Sequence, residues 1–175
     1  MLHQTHKARA LSWGCLCKRM SGKTLLDIQH QDKAILHATC VAVEGQGALI
    51  LGQSGSGKSA LALQMMAHGA TLVADDRVAL SMVGDTAMAD AAPNLRGLIE
   101  ARGIGLLRAH TAGTTPIRYV VDLDQNEPAR LPDPDKTLVL KQSVPLLRAA
   151  GVPNLAAALM QLLKMGRVDP EWPST

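Results

Sequence analysis

The run ALILGQSGSGKSALALQMM, residues 48–66, decides the fold. At its centre Gly52 is followed by four residues and then by Gly57, Lys58 and Ser59, the G-x-x-x-x-G-K-[ST] spacing of a phosphate-binding loop. That pattern specifies only four residue types, so the flanks carry the argument. Residues 48–51 are a short apolar run suited to a buried strand, and Ala60, Leu61, Leu63, Met65 and Met66 place apolar side chains along a following helix. Strand, loop and helix therefore come in the order the motif requires. The loop residues Gly52, Gln53, Ser54, Gly55, Ser56 and Gly57 are mostly small, so the backbone can curl with its N–H groups inward. The helix start adds unsatisfied donors and a partial positive charge. Lys58 is predicted to reach the β- and γ-phosphates of ATP, and Ser59 to ligate Mg2+. The alternative is a Gly/Ser-rich turn that merely joins a strand to a helix. A second, partial copy, RMSGKT at 19–24, has Cys17 five positions before Gly22 and no apolar strand ahead of it, and is read as coincidence.

Working outward, 175 residues suit one domain with a real core. Phe is absent, Tyr119 is alone, and Trp13 and Trp172 lie near the ends, so the core must be built from Leu, Val, Ile, Ala and Met. The same scarcity argues against base stacking on single-stranded nucleic acid. The net charge of +3 is unevenly placed: Lys7, Arg9, Lys18, Arg19 and Lys23 precede the first acid, Asp27, and the remainder holds 13 basic and 15 acidic residues. The body therefore makes no general case for a polyanion partner. No apolar run in residues 1–24 suits a signal peptide or a membrane span, and that segment reads as a flexible basic tail or as an upstream extension of a chain starting at Met20. Cys15, Cys17 and Cys40 are odd in number and spaced C-x-C. They imply neither a disulfide scaffold nor a zinc site, as suits a reducing cytoplasm.

Along the chain, residues 34–43 are β-prone and EGQG then turns into the strand at 48, a hairpin leading into the loop. The helix from Lys58 is expected to stop at Gly69. Strands are expected at 71–74 and 78–83, a turn at Gly84–Asp85, an ambiguous Ala/Met run to Ala92 that admits a short strand, and a short turn or helix near 95–102. Further strands are expected at 104–108, 117–124 and 136–141, then a helix over 154–165 with Asn154 as N-cap. Strands outnumber helices, so the expected class is α/β with a mixed central sheet and flanking helices rather than regular βαβ alternation.

Phosphoryl transfer also needs an acid near the metal and a group that orients or deprotonates the nucleophile. Asp75 and Asp76 end the strand that follows the loop's helix. Neighbouring side chains on a strand point in opposite directions, so the two are expected to have different jobs, one taking a hydroxyl proton and the other orienting the metal or its water. The alternative is a solvated turn paired with Arg77. Glu100, between Arg96 and Arg102, can be a metal ligand or part of a surface ion network. His37 sits on a strand of alternating pattern, where a lone histidine is more often structural. Arg130 lies in a Pro-rich loop, where an arginine commonly serves solubility.

The segment from His37 to about Arg130 resembles the catalytic domain of HPr kinase/phosphorylase, which phosphorylates a serine of the phosphocarrier HPr and reverses that reaction. The likeness rests on His37 lying 21 positions before Lys58, on GQSGSGKS, on LVADDRV from 14 to 20 residues beyond Lys58, and on LIEARGIGLL. It implies that His37, Lys58, Asp76 and Arg130 occupy active-site positions beside Asp75, that Ser59 and Glu100 ligate magnesium, and that residues 25–175 form one catalytic domain. It also implies the phosphate-loop fold of the phosphoenolpyruvate carboxykinase type, a hexamer, a cytoplasmic protein, and neither nucleic acid nor membrane as partner. The chain resembles shortened forms without the family's N-terminal domain. Arg130 stands in ARLPD where the family has DRLG. The VPLLRAAGVPNLA segment resembles a family loop associated with dephosphorylation but has Pro153 where an arginine precedes the asparagine. The competing readings are a small-metabolite kinase, which would close an arginine-bearing lid, and a nucleotide-dependent regulatory module without transfer.

Overall fold

The computed structural model describes residues 23–168. The expected tail, apart from Lys23 and Thr24, lies outside the described residues, as do Cys15, Cys17 and both tryptophans. The order is β1 (Lys33–Leu36), β2 (Thr39–Val43), β3 (Gln46–Leu51), α1 (Lys58–Ala67), β4 (Thr71–Ala74), β5 (Val78–Val83), β6 (Thr86–Ala91), β7 (Leu98–Ala101), β8 (Gly105–Arg108), β9 (Thr115–Asp122), β10 (Asp135–Val139), β11 (Gln142–Arg148) and α2 (Leu155–Met165).

This is a mixed α/β fold with a curled mixed sheet. One half runs β4-β2-β3-β9-β11-β10, with β3 parallel to β9, β9 parallel to β11, and β2 antiparallel to both β3 and β4. The strands β3, β4, β9 and β11 consequently end on one edge, where an α/β sheet presents its ligands. The other half, β1-β5-β6, is antiparallel and joins through Thr115 and Pro116, the first residues of β9. A separate hairpin of β7 and β8 stands off the main sheet.

Alternation along the central strands feeds two apolar cores. Ala48 and Ile50 of β3 and Val121 of β9 face Leu61 and Met65 of α1 and Leu159 and Leu163 of α2. Leu49 and Val120, on the other face, pack with Val73, Leu36, Val78 and Leu80. Both helices thus cover one face, and the curl of the sheet covers the other. Fully buried Leu, Ile, Val and Met make up the large core side chains, as a chain without Phe demands.

Four sequence expectations need correction. The stretch 34–43 is two strands broken at His37 and Ala38, because the chain passes there from one sheet half to the other. Residues 95–102 form a 3-10 turn at Pro93–Leu95 followed by β7, since Gly97 at φ +72° ends the turn. The sequence predicts no strand over Gln142–Arg148, where Pro145 sits, yet β11 forms there, paired with β10 and, from Leu146 onward, with β9; the Ala/Met run, by contrast, is β6, the short strand the sequence admits. Asn154 precedes α2 at φ +53°, in the left-handed region, and its side chain makes no cap hydrogen bond.

Candidate active site

The loop leaves β3 at Gly52, whose φ of +147° and lack of a side chain let it pass beneath Ser56; a Cβ there would lie 2.4 Å from Ser56 Oγ. Gly57 at φ +98° turns the chain into α1. The N–H groups of Lys58, Ser59 and Ala60, leading the helix, have no intrahelical acceptor and line the turn. Lys58 is only 6% exposed and folds back to donate to the carbonyls of Gly52 at 2.7 Å and Gln53 at 2.9 Å. Burial pulls its pKa below the ordinary lysine value, opposed by the carboxylates of Asp124, Asp75 and Asp76. The Gln53 N–H donates to both oxygens of Asp124, at 3.1 and 2.9 Å, which pins the loop's entry to the end of β9. Sequence reading missed Asp124, since 71 residues separate it from Gln53 and only the parallel pairing of β3 with β9 unites them.

The second half of the site is a paired kink. Between β4 and β5 the chain bends at Asp75, Asp76 and Arg77, and between β1 and β2 at His37 and Ala38; because β1 pairs with β5 and β2 with β4, the bends lie side by side. The Arg77 N–H donates to the Asp75 carbonyl at 2.8 Å around Asp76, whose φ is +67°. That three-residue turn is strained for a non-glycine residue, by about 1–3 kcal/mol. It also sends the two carboxylates apart. Asp75, 4% exposed, accepts from Thr39 Oγ1 at 2.6 Å and Ser59 Oγ at 2.9 Å on one oxygen, and from the Glu100 N–H at 3.0 Å on the other. Asp76 is half exposed and meets His37, with Nδ1 3.0 Å from Oδ1 and 3.1 Å from the Asp76 carbonyl oxygen. A carbonyl oxygen only accepts, so His37 Nδ1 carries the hydrogen. The hydrogen bond to Asp76 raises the His37 pKa, against burial and the Lys58 charge, and the same bond holds the Asp76 carboxyl below the usual carboxylate range.

His37, Lys58, Ser59, Asp75, Asp76 and Glu100 line one cavity of about 410 Å³. The Glu100 side chain is exposed there and makes no ion pair among the described residues; Arg96 instead pairs with Asp90 at 2.9 Å. Arg102 also lines the cavity, its guanidinium 3.7 Å from the place a Cβ would take on Gly55. The sequence offered it only as a neighbour of Glu100, and the β7–β8 turn is what lays it over the loop. Arg130, by contrast, is exposed on the β9–β10 connection and does not line this cavity.

The donor set suits magnesium and a triphosphate. The Ser59 hydroxyl and the Asp75 and Glu100 carboxylates are hard oxygen donors, and among the described residues no cluster of three or more His, Cys, Asp or Glu forms a closed protein cage. Magnesium is commonly held by one or two protein groups with phosphates and water completing its shell. Cys40, fully buried with its thiol pushed up to about 12, takes no part.

The sequence profile of the HPr Serine kinase C-terminal domain matches residues 29–127, more than half of the chain. The chain belongs to this family. Curated relatives include the HPr kinase/phosphorylase of Aromatoleum aromaticum, 39% identical over 131 residues (67% of this chain and 42% of the relative). That of Azoarcus sp. is 37% identical over 150 residues, 77% of this chain and 48% of the relative. The chain thus spans less than half the length of these two relatives. Among solved structures, the Hpr(Ser) kinase/phosphatase from Coxiella burnetii superposes with a TM-score of 0.64 at 23% identity, over 75% of this chain and 88% of that one. That likeness concerns the fold, and it agrees with the curled mixed sheet described above.

Proposed function

We propose that residues 25–175 form one catalytic domain that transfers the γ-phosphoryl group of ATP to a serine of HPr. One observation carries the reading: the His37–Asp76 pair opens into the same cavity as Lys58 and Ser59, so a carboxylate and a phosphate loop face one space. Family membership and the names of the curated relatives support HPr as the acceptor.

In this reading the loop amides and Lys58 hold the β- and γ-phosphates. Ser59 and Glu100 would hold Mg2+, with Asp75 orienting Ser59; such an ion would supply neutralisation of the charge that develops on the phosphates. Asp76 receives the serine proton while the serine oxygen bonds to phosphorus and the bond to the bridging oxygen breaks, releasing ADP. An Asp held below its usual range is ionised at neutral pH and so is ready to accept, and a loose phosphoryl-transfer transition state asks more for position than for strong basicity. His37 fixes the orientation of that carboxylate through Nδ1–H. Arg102 adds a cation over the loop. In the reverse direction Asp76 would return the proton as inorganic phosphate removes the phosphoryl group to give pyrophosphate. The family likeness supports an active-site role for Arg130, although Arg130 does not line this cavity. That likeness also supports a phosphoenolpyruvate carboxykinase-type loop fold, a hexamer and a cytoplasmic location; no helix among the described residues is long and apolar enough to cross a membrane.

The test is incubation of the protein with ATP, Mg2+ and purified HPr, reading serine phosphate on HPr. Wild-type protein should label HPr, Asp76→Asn should lose transfer by about 100-fold or more with nucleotide affinity retained, and Lys58→Ala should lose both. A folded, nucleotide-bound wild type that leaves HPr unlabelled overturns the proposal. Turnover of a small hydroxylated substrate instead would identify a metabolite kinase.

A further inference from the structure

One buried hydroxyl touches the site from behind without lining its cavity. Thr39 is fully buried at the start of β2, and its Oγ1 donates at 2.6 Å to Asp75 Oδ1, the oxygen that also accepts from Ser59 Oγ at 2.9 Å. We propose that Thr39 is a positioning residue: through Asp75 it holds the Ser59 hydroxyl with its hydrogen turned inward and its lone pairs toward the magnesium ion of a bound nucleotide. The inference rests on the reading of Ser59 as a magnesium ligand given above.

Three observations carry it. First, the β2–β4 ladder is built to make this contact. Cys40 opposes Ala74 but Val41 opposes Leu72, so Val73 is an extra residue on β4, a bulge. Val73 and Ala74 consequently both enter the core away from the helices, whereas Leu72 enters the core beneath them. Strict alternation from Leu72 would send Asp75 to the far face with Val73. The bulge turns it to the face of α1, where it meets Thr39, the next residue outward on β2. Second, the three donors to Asp75 have different origins. Ser59 belongs to α1, and the Glu100 N–H belongs to the β7–β8 hairpin, which stands off the main sheet. Thr39 is the donor that ties the carboxylate to the main sheet. Third, the hydrogens can be counted. Thr39 and Ser59 both donate to one carboxylate oxygen, and Ser59 has a single hydroxyl hydrogen, so giving it to Asp75 leaves only lone pairs for the cavity. Hard oxygen lone pairs of this kind are what magnesium takes. Without Thr39 the carboxylate loses its anchor in the sheet and is free to rotate, and Ser59 turns with it.

The test measures how far Mg2+ strengthens ATP binding, by calorimetry with Mg2+ and with EDTA, on the wild type, Thr39→Val and Thr39→Ser. Valine keeps the branched shape of a buried strand residue and removes the hydroxyl, and serine keeps the hydroxyl. In Thr39→Val the strengthening should fall about tenfold or more, the loss usual for a residue that orients a metal ligand, with affinity in EDTA unchanged. Thr39→Ser should restore it. A strengthening unchanged in Thr39→Val overturns the proposal, as does an equal loss with and without Mg2+, which a purely structural role predicts, or a serine variant as deficient as the valine one. Should Thr39→Val fail to fold, Thr39→Cys, with its weak S–H donor, decides instead: a strengthening below that of the wild type supports the proposal, and one equal to it overturns it. A wild type whose ATP affinity Mg2+ does not raise refutes the reading of Ser59 itself and the proposal with it, an outcome separate from HPr going unlabelled.

Discussion

Asp75→Asn should destabilise this protein far more than Asp76→Asn, although the two residues are neighbours with the same side chain. Asp75 is 4% exposed and satisfies three donors. Asparagine keeps one oxygen, which can still accept from Thr39 and Ser59. Its amide then faces the Glu100 N–H, donor against donor. The lost charge-assisted bond costs about 1.5–3 kcal/mol, and the two surviving bonds weaken when their acceptor becomes neutral. The easier burial of a neutral amide offsets part of this, leaving a net loss of about 2–4 kcal/mol. For a chain of this size that lowers Tm by about 5–15 °C. Asp76→Asn removes only a half-exposed pair with His37, worth about 0–1 kcal/mol, and asparagine tolerates the left-handed backbone at φ +67°. Its Tm should fall by no more than about 2–4 °C. Thermal melts of the three proteins by circular dichroism, with urea midpoints alongside, measure both. An Asp75→Asn melt within about 2 °C of wild type would refute the reasoning.

Two further outcomes follow from the geometry. The His37 ring, followed by NMR, should titrate above the ordinary histidine value in the wild type and lower in Asp76→Asn, where the carboxylate no longer opposes burial and the Lys58 charge; a midpoint unmoved by the substitution would disprove the pairing. In stability terms the pair acts fully between about pH 3.8 and 6.5, fading as pH rises through the elevated His37 pKa or falls through the depressed Asp76 pKa. Gly47→Ala would set a Cβ 2.8 Å from the Pro116 carbonyl oxygen, backbone against backbone at the β3–β9 junction. Overpacking of this kind should cost about 1–3 kcal/mol in urea unfolding, and an unchanged midpoint would show that the junction yields.

Local order was legible in the sequence. The phosphate loop, its strand and its helix announce themselves because the spacing of Gly52, Gly57, Lys58 and Ser59 and the apolar flanks act over a few residues. The opposite directions of Asp75 and Asp76 were readable for the same reason, although not which of them is buried. His37 read as a strand residue, and only its place in a bend beside a second bend brings its ring to Asp76.

What the sequence by itself determined is the strand–loop–helix order around residues 52–59 and the mixed class of the sheet. Tertiary structure alone decided that Thr39, Ser59 and the Glu100 amide converge on Asp75, that Asp124 anchors the loop, that Arg102 lies over Gly55 and Arg130 away from the cavity, and that Asn154 enters α2 without capping it. The physical reason is separation along the chain: hydrogen bonds between residues 36 or 71 positions apart depend on strand pairing and register, and no local pattern encodes which strands will meet.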